Sequence, residues 1–147
     1  QEILVLGGGP TGLRIATELS ACGNGVVVVD DETVAARARR RGLTAHASSL
    51  ENATPAIERS AATVVVATPS DSRNLLLAVA APRAFEAERV VALVNDPERR
   101  TVFEEAGIET VCVSGAVAQE ALGRIASERA QTDDASTEST DKTRLRT

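Results

Sequence analysis

The sequence predicts a doubly wound α/β domain, a six-stranded parallel sheet in the order 3-2-1-4-5-6 with helices on both faces. Three observations predict it. Strand-like and helix-like segments alternate six times along the chain. The strand-like runs, such as Ile3-Leu4-Val5-Leu6 and Val26-Val27-Val28-Val29, are apolar throughout, as in strands covered on both sides. Glycines crowd the first strand-to-helix junction, and right-handed crossovers then leave few topologies open.

Taken in order, Ile3–Leu6 is the first strand and Gly7-Gly8-Gly9-Pro10-Thr11-Gly12 the turn after it. A helix follows, with Leu13, Ala16 and Leu19 facing inward, broken by Gly23 to Gly25. The second strand, Val26–Val29, ends in Asp30-Asp31. A second helix runs from Glu32 to Arg41 and is stopped by Gly42; a weaker third strand covers Leu43–His46. Glu51–Ser60 can hold a short helix with Pro55 near its start. Thr63–Ala67 is the fourth strand, and Thr68-Pro69-Ser70-Asp71 supplies cap candidates for a helix over Asn74–Ala81, limited by Pro82. Arg89–Val94 is the fifth strand; Asn95-Asp96-Pro97 opens a helix, with Asp96 as cap and Pro97 in the first position, and Gly107 ends it. Thr110–Val113 is the sixth strand, and Gly115–Arg129 the last helix. From Gln131 the chain is almost without apolar residues and cannot repay the entropy of ordering. The expected organisation is one domain over 1–130 and a disordered polar tail over 131–147.

The chain has 147 residues, 43% hydrophobic and 25% charged, with a formal net charge of −5. That length suits one core, burying roughly two-thirds of the unfolded surface. The longest apolar run, Leu75–Ala81, falls well short of the ~18–20 residues a spanning helix needs. Net acidity disfavours nucleic acid as a partner, which calls for a concentrated basic face; the one basic cluster, Arg37-Arg39-Arg40-Arg41, reads as a solvated helix face. Cys22 and Cys112 are isolated, and His46 is the only histidine, so neither a disulfide nor a zinc site is expected. Met is absent, and the chain reads as an excised domain.

The chemistry lies in Gly7-x-Gly9-x-x-Gly12 and its surroundings. It follows a strand, opens a helix, and is answered by Asp30 at the end of the second strand, eighteen positions after Gly12. Gly7 permits the tight turn, Gly9 lets a pyrophosphate approach the backbone, and Gly12 lets the helix pack close to the sheet. The helix N-terminus offers unpaired N–H groups to phosphate. Asp30 is placed to accept from ribose hydroxyls and to repel a 2′-phosphate, which favours NAD over NADP; the same diol occurs in ATP, ADP and AMP. Asp31 is read first as the start of the next helix. Thr68 ends the fourth strand beside the crevice where such sheets bind ligands. A substrate pocket with an acid–base group is missing, and the chain has no Tyr, no nucleophile elbow and no metal cluster. A binding or sensing module is expected, not an enzyme.

These residues resemble the TrkA N-terminal domain, the KTN or RCK-type Rossmann domain of potassium-uptake regulators, over about residues 2–123. The likeness rests on the stretch from Ile3 to Gly12, on Val26–Asp30, on Val64-Val65-Val66-Ala67-Thr68 with Ser70-Asp71-Ser72-Arg73-Asn74, on Val94-Asn95-Asp96-Pro97-Glu98, and on Phe103–Ile108. It implies a cytoplasmic regulator, peripheral to the inner face of the membrane. Such a regulator binds NAD(H) or ATP/ADP and assembles as a homodimer or larger ring on a membrane potassium transporter or channel. It carries ligand contacts onto Gly7, Gly9, Gly12, Asp30 and Thr68; Pro10, Thr11, Asp31 and Ser49 complete the candidate set. After the third strand the family usually has Gly-Asp-Ala, its Asp near the adenine; here Ala47-Ser48-Ser49-Leu50 stands instead, leaving Ser49 to hydrogen-bond there. The alternatives are a regulatory Rossmann domain of a larger fused enzyme such as a phosphoesterase and, further off, a small NAD-dependent oxidoreductase.

Overall fold

A computed structural model describes residues 2–51 and 58–127. Six strands form one parallel sheet in the order β3-β2-β1-β4-β5-β6, the predicted arrangement. They are β1 (Glu2–Leu6), β2 (Gly25–Asp30), β3 (Thr44–Ala47), β4 (Thr63–Val66), β5 (Arg89–Val94) and β6 (Glu109–Cys112). The helices are α1 (Pro10–Ala21), α2 (Glu32–Arg40), α3 (Asp71–Ala84) and α4 (Arg100–Glu105), the last preceded by a 3-10 turn over Pro97–Arg99.

The all-apolar runs divide between two cores because successive side chains of a strand point to opposite faces. Ile3, Val5, Val26 and Val28 pack with Leu13 and Ala16 of α1 and with Ala35 and Ala38 of α2. Leu4, Leu6, Val64 and Val66 pack on the other side with Leu77, Ala81, Phe85 and Phe103. Alanines at the helix contacts keep α1 and α2 close to the sheet. Each fully buried Val or Leu contributes about 1.5–3 kcal/mol, so the two faces together supply the fold's main driving force. The winding reverses between β1 and β4, and at such a switch point a crevice opens at the strands' carboxyl ends.

Several elements differ from expectation. Strands three and six are shifted by one residue, and the helix predicted to stop before Pro82 begins at Asp71 and runs through it to Ala84. Pro82 is exposed and removes one intrahelical bond, but its neighbours Ala81 and Phe85 are buried, and the Phe85 N–H donates to the Ala81 carbonyl at 2.9 Å. Packing on both sides of the proline holds the last turn. The helix anticipated over Glu51–Ser60 lies mostly outside the described residues, as does the tail over 131–147.

By contacts the chain divides after Val113. The second unit is described as a helix through residue 127, on which Val117, Leu122 and Ile125 are exposed. No helix among the described residues is long and apolar enough to cross a membrane.

Candidate functional site

The crevice begins at the turn between β1 and α1. Gly7 has φ +110°, and a Cβ there would lie 2.8 Å from the backbone of Ala67, just past the end of the neighbouring β4. At Gly12 a Cβ would fall 1.9 Å from the Gly7 carbonyl oxygen, so the helix can sit over the turn only without one. Gly9 is different. Its backbone is ordinary for any residue, φ −67° and ψ −175°, and a Cβ would meet nothing within 4 Å. Neither backbone geometry nor packing requires glycine at Gly9; open space in front of it does suit close approach of a ligand to the main chain.

Gly9 is also the cap residue of α1, and it supplies no side chain to the helix's first N–H groups. The contrast with the next two helices is clear. Asp31 accepts from the Val34 N–H at the head of α2, and Ser70 from the Arg73 N–H at the head of α3. Pro10 holds the first helical position and no acidic residue lies in the first turn. The orphan donors and positive end of α1 therefore face the crevice uncompensated, the arrangement that receives anions.

Asp30 ends β2 half-buried beside this turn. Its Oδ2 accepts from the Gly8 N–H at 2.8 Å and its Oδ1 from the Asp31 N–H at 2.7 Å. A carboxylate has about four acceptor positions, so two remain for hydroxyl donors. Asp30 borders an open cavity of about 370 Å³ together with Asp31, Ser49, Leu50, Glu51 and Arg73. Ser49 is exposed there, and its Oγ accepts from the Glu51 N–H at 3.3 Å. Gly9, Pro10, Thr11 and Thr68 line a smaller cavity of about 120 Å³ with Leu93 and Asn95.

Thus the predicted residues fall into two groups along one edge. Gly9, Pro10, Thr11 and Thr68 surround the head of α1; Asp30, Asp31 and Ser49 surround the adjoining cavity. Gly7 and Gly12 are buried beneath and shape the turn. Asp31 spends one oxygen on capping α2 while its side chain still borders the cavity.

Sequence reasoning did not anticipate the role of Asn74. It is wholly buried, donates to the carbonyls of Thr68 (2.9 Å) and Leu93 (3.0 Å), and accepts from the Thr68 N–H (3.1 Å) and from the Thr68 hydroxyl. Every hydrogen-bonding position of its amide is used, and the ends of β4 and β5 are held at one spacing. Asp71, 8% exposed, is not the cap of α3. It reaches to the loop after β5, where its Oδ1 accepts from the Asn95 N–H (2.7 Å) and side-chain amide (3.0 Å) and its Oδ2 from the Asp96 N–H (2.8 Å). Burial pushes the Asp71 carboxyl up, but the N–H donors of Asn95 and Asp96, the Asn95 amide and the Arg99 charge together hold it below its ordinary value. A signal existed in the sequence: polar residues one turn into a helix, just past a strand's carboxyl end, are placed to bind neighbouring strand ends.

Among the described residues no cluster of His, Cys, Asp or Glu could hold a metal ion. The family model and the relative of similar sequence point to one family, while the fold is shared more widely. The profile described as TrkA-N domain matches residues 3–114. Trk system potassium uptake protein TrkA of Streptomyces coelicolor is 29% identical over 132 residues, 84% of this chain; the chain spans 58% of that relative's length. Among solved structures, the TrkA-N domain of inner membrane protein ybaL from Escherichia coli matches with a TM-score of 0.68 at 17% identity, over 83% of this chain and 94% of that one. An imine reductase of Streptomyces aurantiacus matches with a TM-score of 0.50 at 22% identity, over 75% of this chain and 39% of the reductase. At these identities the structural likenesses show the fold alone.

Proposed function

The chain belongs to the TrkA-N domain family, and from that premise we propose that it is a regulatory module binding an adenine nucleotide, NAD(H) or ATP/ADP, for a potassium transporter or channel. The observation that carries this is Gly9: a glycine that neither backbone nor packing demands, standing before an uncapped helix N-terminus with Asp30 beside it. The diphosphate lies against Gly9, Pro10 and Thr11, above the buried Gly12, with Thr68 opposite. The ribose diol donates to the two open acceptor positions of Asp30, and Asp31 and Ser49 border the space beyond. Gly7 holds the turn in register.

The nucleotide module is taken as 1–130, acting as a homodimer or larger ring on the cytoplasmic face of the membrane, with no reaction of its own. Regulation is a population shift: a nucleotide moves the equilibrium between two conformations only by its difference in affinity for them. Exchange of oxidised for reduced, or tri- for diphosphate, supplies that difference.

Thermal-shift and calorimetric titration with NADH, NAD, NADP, ATP, ADP and AMP tests the reading, on the chain as it stands and on Asp30→Ala. A ligand that binds only the folded state raises apparent stability by mass action, so the order of shifts is the order of affinities. The expected result is saturable binding of at least one adenine nucleotide, NADP weaker than NAD, and loss of binding in the variant. No shift with any of the six overturns the reading.

A further inference from the structure

Beside Asp30 the cavity holds one cation that neither capping nor packing explains. Arg73 lies in the first turn of α3 and is half-buried. Its backbone N–H serves the Ser70 cap, but its guanidinium has no hydrogen-bond or ion-pair partner among the described residues. It borders two depressions at once, that of Asp30 and Ser49 and a second one with Leu76 and Leu77. Its guanidinium is still open to solvent, so it stands at the cavity wall as a cation free to meet a ligand.

If a ribose sits on Asp30 with its phosphates toward Gly9, its base projects away from α1, into the space that Ser49, Leu50 and Arg73 bound. Resting on the nucleotide reading above, we propose that Arg73 is the residue that selects an adenine base, its planar guanidinium closing over the face of the ring while Ser49 meets the ring's edge. A planar guanidinium can lie flat on an aromatic face, whereas an ammonium keeps only the point-charge attraction to it. The other use of an arginine here, gripping a 2′-phosphate, is disfavoured by the carboxylates of Asp30, Asp31 and Glu51 around the same cavity.

Base selectivity separates these roles. Etheno-ADP is a suitable probe, since the chain has no Trp or Tyr to obscure its emission. ADP, UDP, NAD and NADP are then titrated as competitors against wild type, Arg73→Ala and Arg73→Lys. Wild type is expected to prefer ADP to UDP, and both variants to lose about tenfold in ADP affinity while UDP changes little. Lysine keeps the charge, so rescue by Arg73→Lys overturns stacking. Equal losses for ADP and UDP overturn it too, as does a loss confined to NADP. Failure of wild type to bind any of the four removes the nucleotide reading itself, whereas binding with unchanged ADP-to-UDP selectivity removes only the role of Arg73. Melting curves of the variants should match wild type, because the Ser70 cap uses the main chain.

Discussion

The carboxylate of Asp30 accepts a hydrogen bond from the main-chain N–H of Gly8 across 2.8 Å, joining the end of β2 to the turn that follows β1. One side chain therefore both shapes the glycine turn and offers its remaining lone pairs to the crevice.

Asp30→Ala should lose on both counts. Removing a charged acceptor from a half-buried N–H costs about 1–3 kcal/mol of stability, and any ribose contact goes with it. Asp30→Asn can still accept from Gly8 through its amide oxygen, so it should recover most of the stability but not the nucleotide affinity. Urea melts run beside nucleotide titrations check this; a parallel recovery of both would contradict it.

Gly9→Ala and Gly12→Ala should behave in opposite ways. At Gly9 the added methyl meets open space, so stability should stay within about 0.5 kcal/mol while nucleotide binding falls at least tenfold. At Gly12 the methyl would overlap the Gly7 carbonyl, and the fold itself should lose several kcal/mol, about 2 or more. Denaturation midpoints of the two variants supply the comparison.

Asn74→Ala strands the Thr68 N–H, takes the amide donor from the Leu93 carbonyl, and leaves the Thr68 carbonyl to the longer bond from the Asn95 amide. Each orphaned group costs about 1–3 kcal/mol, so this should be among the most damaging single changes outside the apolar core. Asn74→Asp keeps the acceptors but not the donors, and should fare little better. Hydrogen exchange at the Thr68 amide would show the opening directly.

Asp71 sets a pH dependence whose sign follows from its depressed titration. A carboxyl that ionises more readily in the folded state adds stability above its unfolded pKa, near 3.9, and loses that contribution as pH falls through the folded value. Wild type should thus lose stability below about pH 4, and Asp71→Asn should lose less over the same range. Melts at pH 6 and pH 3 decide it: an unchanged difference between the two proteins excludes Asp71 as a contributor.

Much of the fold was legible because parallel strands buried on both faces write themselves as unbroken apolar runs. Val26–Val29 and Val64–Val66 could be little else, and the turn at Gly7 fixed where the sheet begins. The caps at Asp31, Ser70 and Asp96 were legible as well, since a cap acts within three residues of itself. Pro82 misled because local propensity disfavours a helix there while the burial of Ala81 and Phe85 sustains one. At the candidate site, residues acting through their own turn stood out. Asn74 and Asp71 did not, since their partners lie 19 to 25 residues further on, and such distances exist only once the sheet has formed.

Those two side chains also make the domain mechanically lopsided. The head of α3 is riveted to the tips of β4 and β5 by buried side chains, whereas the opposing jaw, the Gly7–Gly12 turn, is tethered to β2 through the Asp30 carboxylate at Gly8 and the Val29 carbonyl at Gly7. Because that turn lies hard against Ala67 and Thr68, and Thr68 is bonded to Asn74, a push from an occupant has a direct line from the glycine turn to the head of α3.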